Sequence, residues 1–333
     1  MTSTTETPSV APPRLIPTIT AGFNAVAANI RLIVLPVLLD VFLWLGPQFR
    51  LHKLAAPALE EYLALFNRLN SADIAAQMNQ ISQQWLQNLR VFNLAGVLPT
   101  FPIGLPSLIA TYGTDQTPLG SAQIIEIQSY SLALGWWLVF LLVGFLLGCI
   151  YFNDLARSTF ETRMPFDLKN FLRQISQSVL FIVALFFSLL VMGIPASILI
   201  SILAMVNPSL ASVGIIFILF IILWVLIPLV FTPHSIFLGQ RNLLVSVLTS
   251  ARLVRSYLPG SGLFILVAFM IAQGMDILWQ IPPPNSWMTL VGILGHSFIY
   301  TSLLAASFIY FRKGLHWLAD VAKQQNNRTV QQI

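Results

Sequence analysis

Six long apolar runs, at residues 30–46, 129–152, 178–206, 210–232, 260–279 and 287–311, constrain this chain more than any other feature. A helix needs about 20 mostly apolar residues to cross a hydrocarbon layer about 30 Å thick. Within that layer every backbone N–H and C=O must be paired inside the protein, which leaves only helices and closed barrels. Barrel strands alternate apolar and polar residues, and these runs do not. The expected fold is therefore all-α: a polytopic bundle of six transmembrane helices.

Composition points the same way. Of 333 residues, 56% are hydrophobic and 9% charged, whereas about a quarter are charged in soluble globular domains. The single cysteine, Cys149, lies in the second run, so no disulfide can close within the chain. The opening stretch MTSTTETPSVAPPRLIPT lacks both a charged segment leading straight into an apolar one and a small-residue cleavage site. No cleaved signal peptide is expected, and the Thr, Ser and Pro bias makes 1–18 a disordered tail.

The net charge of +5 is explained by orientation in a membrane, since cytoplasmic loops carry an excess of Lys and Arg; no nucleic-acid partner is expected. With the N-terminus inside, the inner segments hold Arg14, Arg31, Arg157, Arg163, Lys169, Arg173, Arg241, Arg252, Arg255, Arg312, Lys313, Lys323 and Arg328. The short outer loops AMVNPSL (204–210) and QIPPPNS (280–286) hold none. Arg50, Lys53, Arg68 and Arg90 sit in the long outer segment 47–128, and segments longer than about 60 residues translocate largely regardless of charge. Both termini are expected to be cytoplasmic, in a bacterial inner membrane.

The inner segments look like interfacial helices. In DLKNFLRQISQ, Leu168, Phe171, Leu172 and Ile175 recur at helical spacing beside Lys169 and Arg173. In GQRNLLVSVLTSARLVRSYLPGSG, Leu244, Val247, Leu248, Ala251 and Leu258 share a face flanked by Arg241, Arg252 and Arg255. Such side chains lay their stems on an apolar boundary and keep their charge in water. Ile19, Phe23, Val26 and Ile30 give a weaker copy. The organisation read from the sequence is thus a tail (1–18), an interfacial helix with the first span (19–46), an extracytoplasmic helical cap (47–128), five further spans with cytoplasmic interfacial helices (129–311), and a cytoplasmic C-terminal helix and tail (312–333).

The alternation of interfacial helix, span and hairpin, with the small-residue stretch SVLTSARLVRSYLPGSG ahead of a span, resembles the bacterial multi-pass membrane domain sometimes fused to glycerophosphodiester phosphodiesterases, and related uncharacterised membrane families. The likeness covers 153–311 and implies a fold. It implies no reaction, because the phosphodiesterase catalytic domain has no counterpart in these residues, and the long 47–128 segment departs from the pattern.

Within 47–128, Asn70 and Ser71 are good capping residues ahead of ADIAAQMNQISQQWLQNLRVF. There Ile74, Met78, Ile81, Trp85, Leu89 and Phe92 form a helical stripe opposite Gln77, Asn79, Gln80, Gln83, Gln84, Gln87 and Asn88. An earlier helix, about 54–67, sets Leu59, Leu63 and Phe66 against Glu60 and Glu61. The cap is expected to pack its apolar faces on the spans. In GVLPTFPIGLPSLIATYG, Pro99, Pro102 and Pro106 forbid a continuous helix, so this apolar segment either dips into the bundle or membrane surface, or tucks onto the cap.

Three ionisable groups fall inside spans: Asp40 in LPVLLDVFLWLGP, Asp276 in AQGMDILW and His296 in GILGHSF. A charge at the centre of a spanning helix costs about 2.5–3.5 kcal/mol on insertion scales, so such residues usually face the interior with a partner. Asp40 lies about 9 Å from the outer end of the first span, at about 1.5 Å per residue. Two readings stay open. The three line one polar cavity, as a proton-coupled carrier would use, or each is satisfied locally: Asp40 by a neighbouring Ser, Thr or Trp, Asp276 at the outer headgroups, and His296 between Gly292 and Gly295. Gly144 and Gly148 form a G-x-x-x-G that permits close helix approach, and Pro195 and Pro228 interrupt the third and fourth spans. The sequence has no Cys or His cluster at metal spacing, no P-loop and no nucleophile elbow, so neither an enzyme nor a cofactor is expected. The expected function is that of a non-enzymatic integral membrane protein engaging lipid or a membrane protein partner; the alternative is a small-molecule or proton-coupled transporter using Asp40, Asp276 and His296.

Overall fold

A computed structural model describes residues 11–69, 71–110, 113–160, 165–239 and 241–331. Its helices in chain order are α1 (Leu15–Ala28), α2 (Val34–Leu45), α3 (His52–Leu69), α4 (Ala72–Val91), α5 (Tyr130–Ser158), α6 (Leu168–Val206), α7 (Pro208–Leu226), α8 (Thr232–Gly239), α9 (Leu243–Ser256), α10 (Leu258–Trp279) and α11 (Met288–Gln331). Short 3-10 turns cover Ile30–Ile33, Leu94–Val97 and Ile227–Leu229. The sheet content is β1 (Gln48–Arg50) paired parallel with β4 (Ile124–Glu126), and β2 (Gln116–Thr117) paired with β3 (Gly120–Ser121).

Among the described residues five stretches, Tyr130–Ser158, Leu168–Val206, Pro208–Gly239, Leu258–Trp279 and Met288–Gln324, are long and apolar enough to cross a membrane. A sixth is reached if Leu15–Ala28 and Ile30–Leu45 are taken as one broken span. The all-α architecture of a multi-pass membrane protein is therefore present. The expected first span, 30–46, consists of a four-residue 3-10 turn and the 12-residue α2.

Several boundaries differ from those read in the sequence. The interfacial helix expected before the third span is no separate element: α6 runs unbroken for 39 residues, straight through Pro195. Nothing between Leu168 and Ser178 breaks a helix, and Asp167 caps its start by accepting the Lys169 N–H at 3.0 Å. Likewise α11 runs for 44 residues, Met288–Gln331, and so passes the end of the sixth apolar run at 311 without a break. Pro228, in contrast, lies in the 3-10 segment that separates α7 from α8, within the single long apolar stretch Pro208–Gly239. Residues 15–18 of the expected tail are the first turn of α1, where buried Thr18 donates to the Arg14 carbonyl at 2.7 Å. Residues 1–10, Asn70 and Arg163 lie outside the described residues, as do the side chains of Ile74, Gln77 and Arg328.

The chain divides into two compact units. One comprises Met1–Ala28, Asn153–Met270 and Ser302–Ile333. Its core is Phe231, Leu253, Val254, Phe264, Ala306, Tyr310 and Phe311, with the Phe264 and Tyr310 rings stacked at 4.4 Å. Gly22 lets α1 lie directly on α11, since a Cβ there would meet the Ser302 carbonyl at 2.4 Å. On α9 the buried side is Ser246, Ser250, Leu253 and Val254. Leu244 and Leu248 of the expected apolar face are 77% and 65% exposed, as an interfacial helix requires if that face is to meet lipid. The hairpin α6–α7 is barer still: none of the most apolar stretch of Pro208–Gly239 is buried.

The other unit comprises Asn29–Phe152 and Ile271–Thr301. Here α3 and α4 form a hairpin that buries Ala56 and Leu63 and joins Asn67 to Asn79 at 3.0 Å. Ser71 occupies the N-cap of α4 but makes no side-chain capping bond. Packing of the α4 stripe onto the spans is not realised for Ile81, Trp85 and Phe92, which stay exposed. The anchor of this region is Arg50, 3% exposed, which donates to the carbonyls of Arg90 and Thr114 and pairs with Asp115 at 2.7 Å. β1 and β4 are too short for strand periodicity to reveal them.

Candidate functional site

The proline-rich segment is not helical, and most of its aliphatic residues are buried, while Phe101 is 83% exposed. Leu98, Ile103, Leu105, Leu108 and Ile109 are all inside. Two sets of residues hold it. The first is the G-x-x-x-G of α5, which receives this loop and not another helix. A Cβ on Gly144 would stand 2.0 Å from the Leu98 carbonyl oxygen, and one on Gly148 would stand 2.7 Å from the Gly104 Cα. Gly144 is about 21 Å along α5 from its start, at about 1.5 Å per residue, so the loop reaches far down that helix.

The second is Asp40. On α2 the residues Pro36, Leu39, Asp40, Leu43 and Trp44 share the buried face, and Asp40 itself is 0% exposed. Its carboxylate accepts the hydroxyl of Ser107 on Oδ1, the Leu108 N–H on Oδ2 at 3.0 Å and the Ile109 N–H on Oδ1 at 3.2 Å. Ser107 Oγ in turn accepts the Ala110 N–H at 3.1 Å. An ionised carboxylate is acceptor-only, and the turn at 107–110 offers it donors. Irregular backbone buried in an apolar surrounding cannot leave its N–H groups bare; here a span residue supplies their acceptor. Asp40 is thus hydrogen-bonded, with a serine among its partners, and these partners lie in a loop 67–69 residues away in sequence.

Asp276 and His296 come together. Asp276 on α10 faces α11, where His296 and Tyr300 stand one turn apart. Its Oδ1 lies 2.7 Å from His296 Nδ1, and its Oδ2 accepts the Tyr300 hydroxyl at 2.7 Å. The His296 and Tyr300 rings lie 4.2 Å apart. The helices approach closely because Gly292 and Gly295 leave room for Trp279: a Cβ on Gly295 would meet the Trp279 ring at 2.6 Å. Among the described residues, His296 Nε2 and Trp279 Nε1 are buried without a hydrogen-bond partner. Trp279, packed against Gly295, and Leu108, whose N–H bonds Asp40, line one cavity. The three sequence candidates therefore share one neighbourhood but not one function: Asp40 binds the loop, while Asp276 binds His296 and Tyr300.

A cavity of about 160 Å³ lies in the same unit, lined among others by Trp44, Leu108, Ile109, Trp279 and the run Pro282–Pro284. It is smaller than ligand pockets, which are about 300–1,000 Å³. Trp44 closes part of it by donating to the Pro284 carbonyl at 2.7 Å. Among the described residues no three His, Cys, Asp or Glu side chains converge to hold a metal ion.

Ser107, Tyr300 and Arg50 were not singled out in the sequence. Tyr300 carried a usable signal, its spacing of one helical turn from His296. Ser107 and Arg50 carried none, because their partners are distant in the chain. No family model matches this chain, and no curated protein and no solved structure proved similar to it.

Proposed function

We propose that this chain is a non-enzymatic, six-span protein of a bacterial inner membrane, with both termini cytoplasmic, that works by engaging lipid or a membrane partner. The observation that carries this reading is the α6–α7 hairpin, whose apolar residues are turned outward along almost its whole length and whose bland surface suits lipid chains or another spanning helix. The exposed apolar side of α9, edged by arginines, adds an interfacial surface on the basic side of the chain. Kinship with the bacterial multi-pass domains resembled by 153–311 belongs to the same proposal.

One arrangement favours the transporter reading as the runner-up: the buried His296, whose Nε2 has no partner among the described residues, with Asp276 on its Nδ1 and Tyr300 against its ring. Proteoliposomes loaded with a pH-sensitive dye separate the two. The leading reading expects proton movement equal to that of protein-free vesicles. A flux abolished by Asp276→Asn would replace it with the carrier. Orientation is tested by cysteine labelling near Arg252 and near Pro283, which must report opposite compartments.

A further inference from the structure

We propose that the groove between α9 and the C-terminal part of α11 binds the phosphate headgroup of an anionic phospholipid. This rests on the lipid-engaging reading and names its ligand class and its site. The groove has a volume of about 770 Å³ and is lined by Arg241, Leu248, Arg252, Trp317, Leu318 and Val321, among others. A second hollow of about 440 Å³ shares Leu248 and Arg252 with it and adds Arg255. Both volumes fall in the range of ligand sites, about 300–1,000 Å³. The two helices are pinned together where Gly314 meets Leu253, a Cβ there being only 2.5 Å from Leu253 Cδ1.

Charge identifies the ligand. Three arginines edge the two hollows and no carboxylate lines either one; Asp320 lies between Ala319 and Val321 in sequence but is not among the lining residues. Arg241 is held across the site by donating to Thr249 Oγ1 at 3.0 Å. Among the described residues Arg252 and Arg255 have no hydrogen-bond or ion-pair partner, so two forked donors are free to bind a phosphate bidentately. Apolarity identifies the source. A soluble phosphate has no use for a floor of Leu248, Leu318 and Val321, or for the exposed Leu244 alongside. A lipid places its glycerol and upper chains there while its phosphate meets the guanidinium groups, and basic pockets at the cytoplasmic end of spanning helices are suited to such headgroups.

The test uses the full chain purified in a neutral detergent, with bound lipid counted by native mass spectrometry after adding phosphatidylglycerol, phosphatidylcholine or inorganic phosphate. The expected result is selective retention of phosphatidylglycerol over phosphatidylcholine, unaffected by millimolar inorganic phosphate. Replacing both guanidinium groups, R252Q with R255Q, is expected to weaken that retention about thirtyfold. Should the double variant fail to fold, Val321→Trp serves instead, filling the groove without touching charge, with the same loss expected. Equal retention of the two lipids, unchanged retention in both variants, or displacement by inorganic phosphate would each overturn the headgroup site. Non-selective lipid adducts persisting through such a failure would leave the broader lipid-engaging reading standing, whereas a chain carrying no lipid at all would sink both.

Discussion

The loop through Leu98–Ala110 and the hairpin α6–α7 are both strongly apolar, yet they sit in the molecule in opposite ways. The hairpin is regular and bare. The loop is irregular and, Phe101 apart, largely covered. A helix closes its own backbone bonds and can turn every side chain outward, whereas a segment broken by Pro99, Pro102 and Pro106 exposes N–H groups that something else must meet. Asp40 meets two of them, and Gly144 and Gly148 give up their side chains so that the loop backbone can lie against α5. Backbone regularity, more than apolar content, decides which stretches of this chain require the rest of it.

That contrast can be broken by substitution. Asp40→Leu leaves three donors buried without an acceptor, and is expected to lower stability by about 4 kcal/mol, read as the midpoint of denaturation in detergent micelles. Gly144→Val drives a branched side chain into the Leu98 carbonyl and is expected to remove about 3 kcal/mol, with proteolysis between residues 97 and 110 as the sign that the loop has been expelled. Ser107→Ala loses one of the three donors to Asp40 and the acceptor of the Ala110 N–H, and leaves the Leu108 and Ile109 N–H bonds in place, for a loss of about 2 kcal/mol. On the hairpin, Phe187→Leu is expected to change stability by less than about 0.5 kcal/mol, as exposed substitutions do. A loss at Phe187 as large as that at Ser107 would mean that α6 is covered after all, and would erase the distinction.

Much of this was legible in the residues. The apolar runs placed the long helices, the stripe from Met78 to Leu89 placed α4 within a residue or two, and the three prolines announced a non-helical segment. The limits have physical causes. Charged residues at the ends of spans mark where a helix leaves lipid, not where it stops, so the continuity of α6 and α11 through Lys169, Arg173, Arg312 and Lys313 was missed. Periodicity identifies an apolar face but not its cover, so the exposure of Leu244, Leu248, Ile81 and Trp85 had to come from the structure. The grip of Asp40 on Ser107, like that of Arg50 on Thr114, joins residues more than sixty apart, and no local pattern encodes such a pairing. Glycine spacing in α5 announced a close approach without naming what approaches.

The unbroken length of α6 has one further consequence. Thirty-nine residues make a rod about 58 Å long at about 1.5 Å per residue, nearly twice the thickness of a hydrocarbon layer of about 30 Å. Such a rod must lean or stand proud of the bilayer, and a thinner membrane forces a steeper lean or a greater overhang. Its Leu168 end, bearing Lys169 and Arg173, is the end suited to stand in water clear of the hydrocarbon.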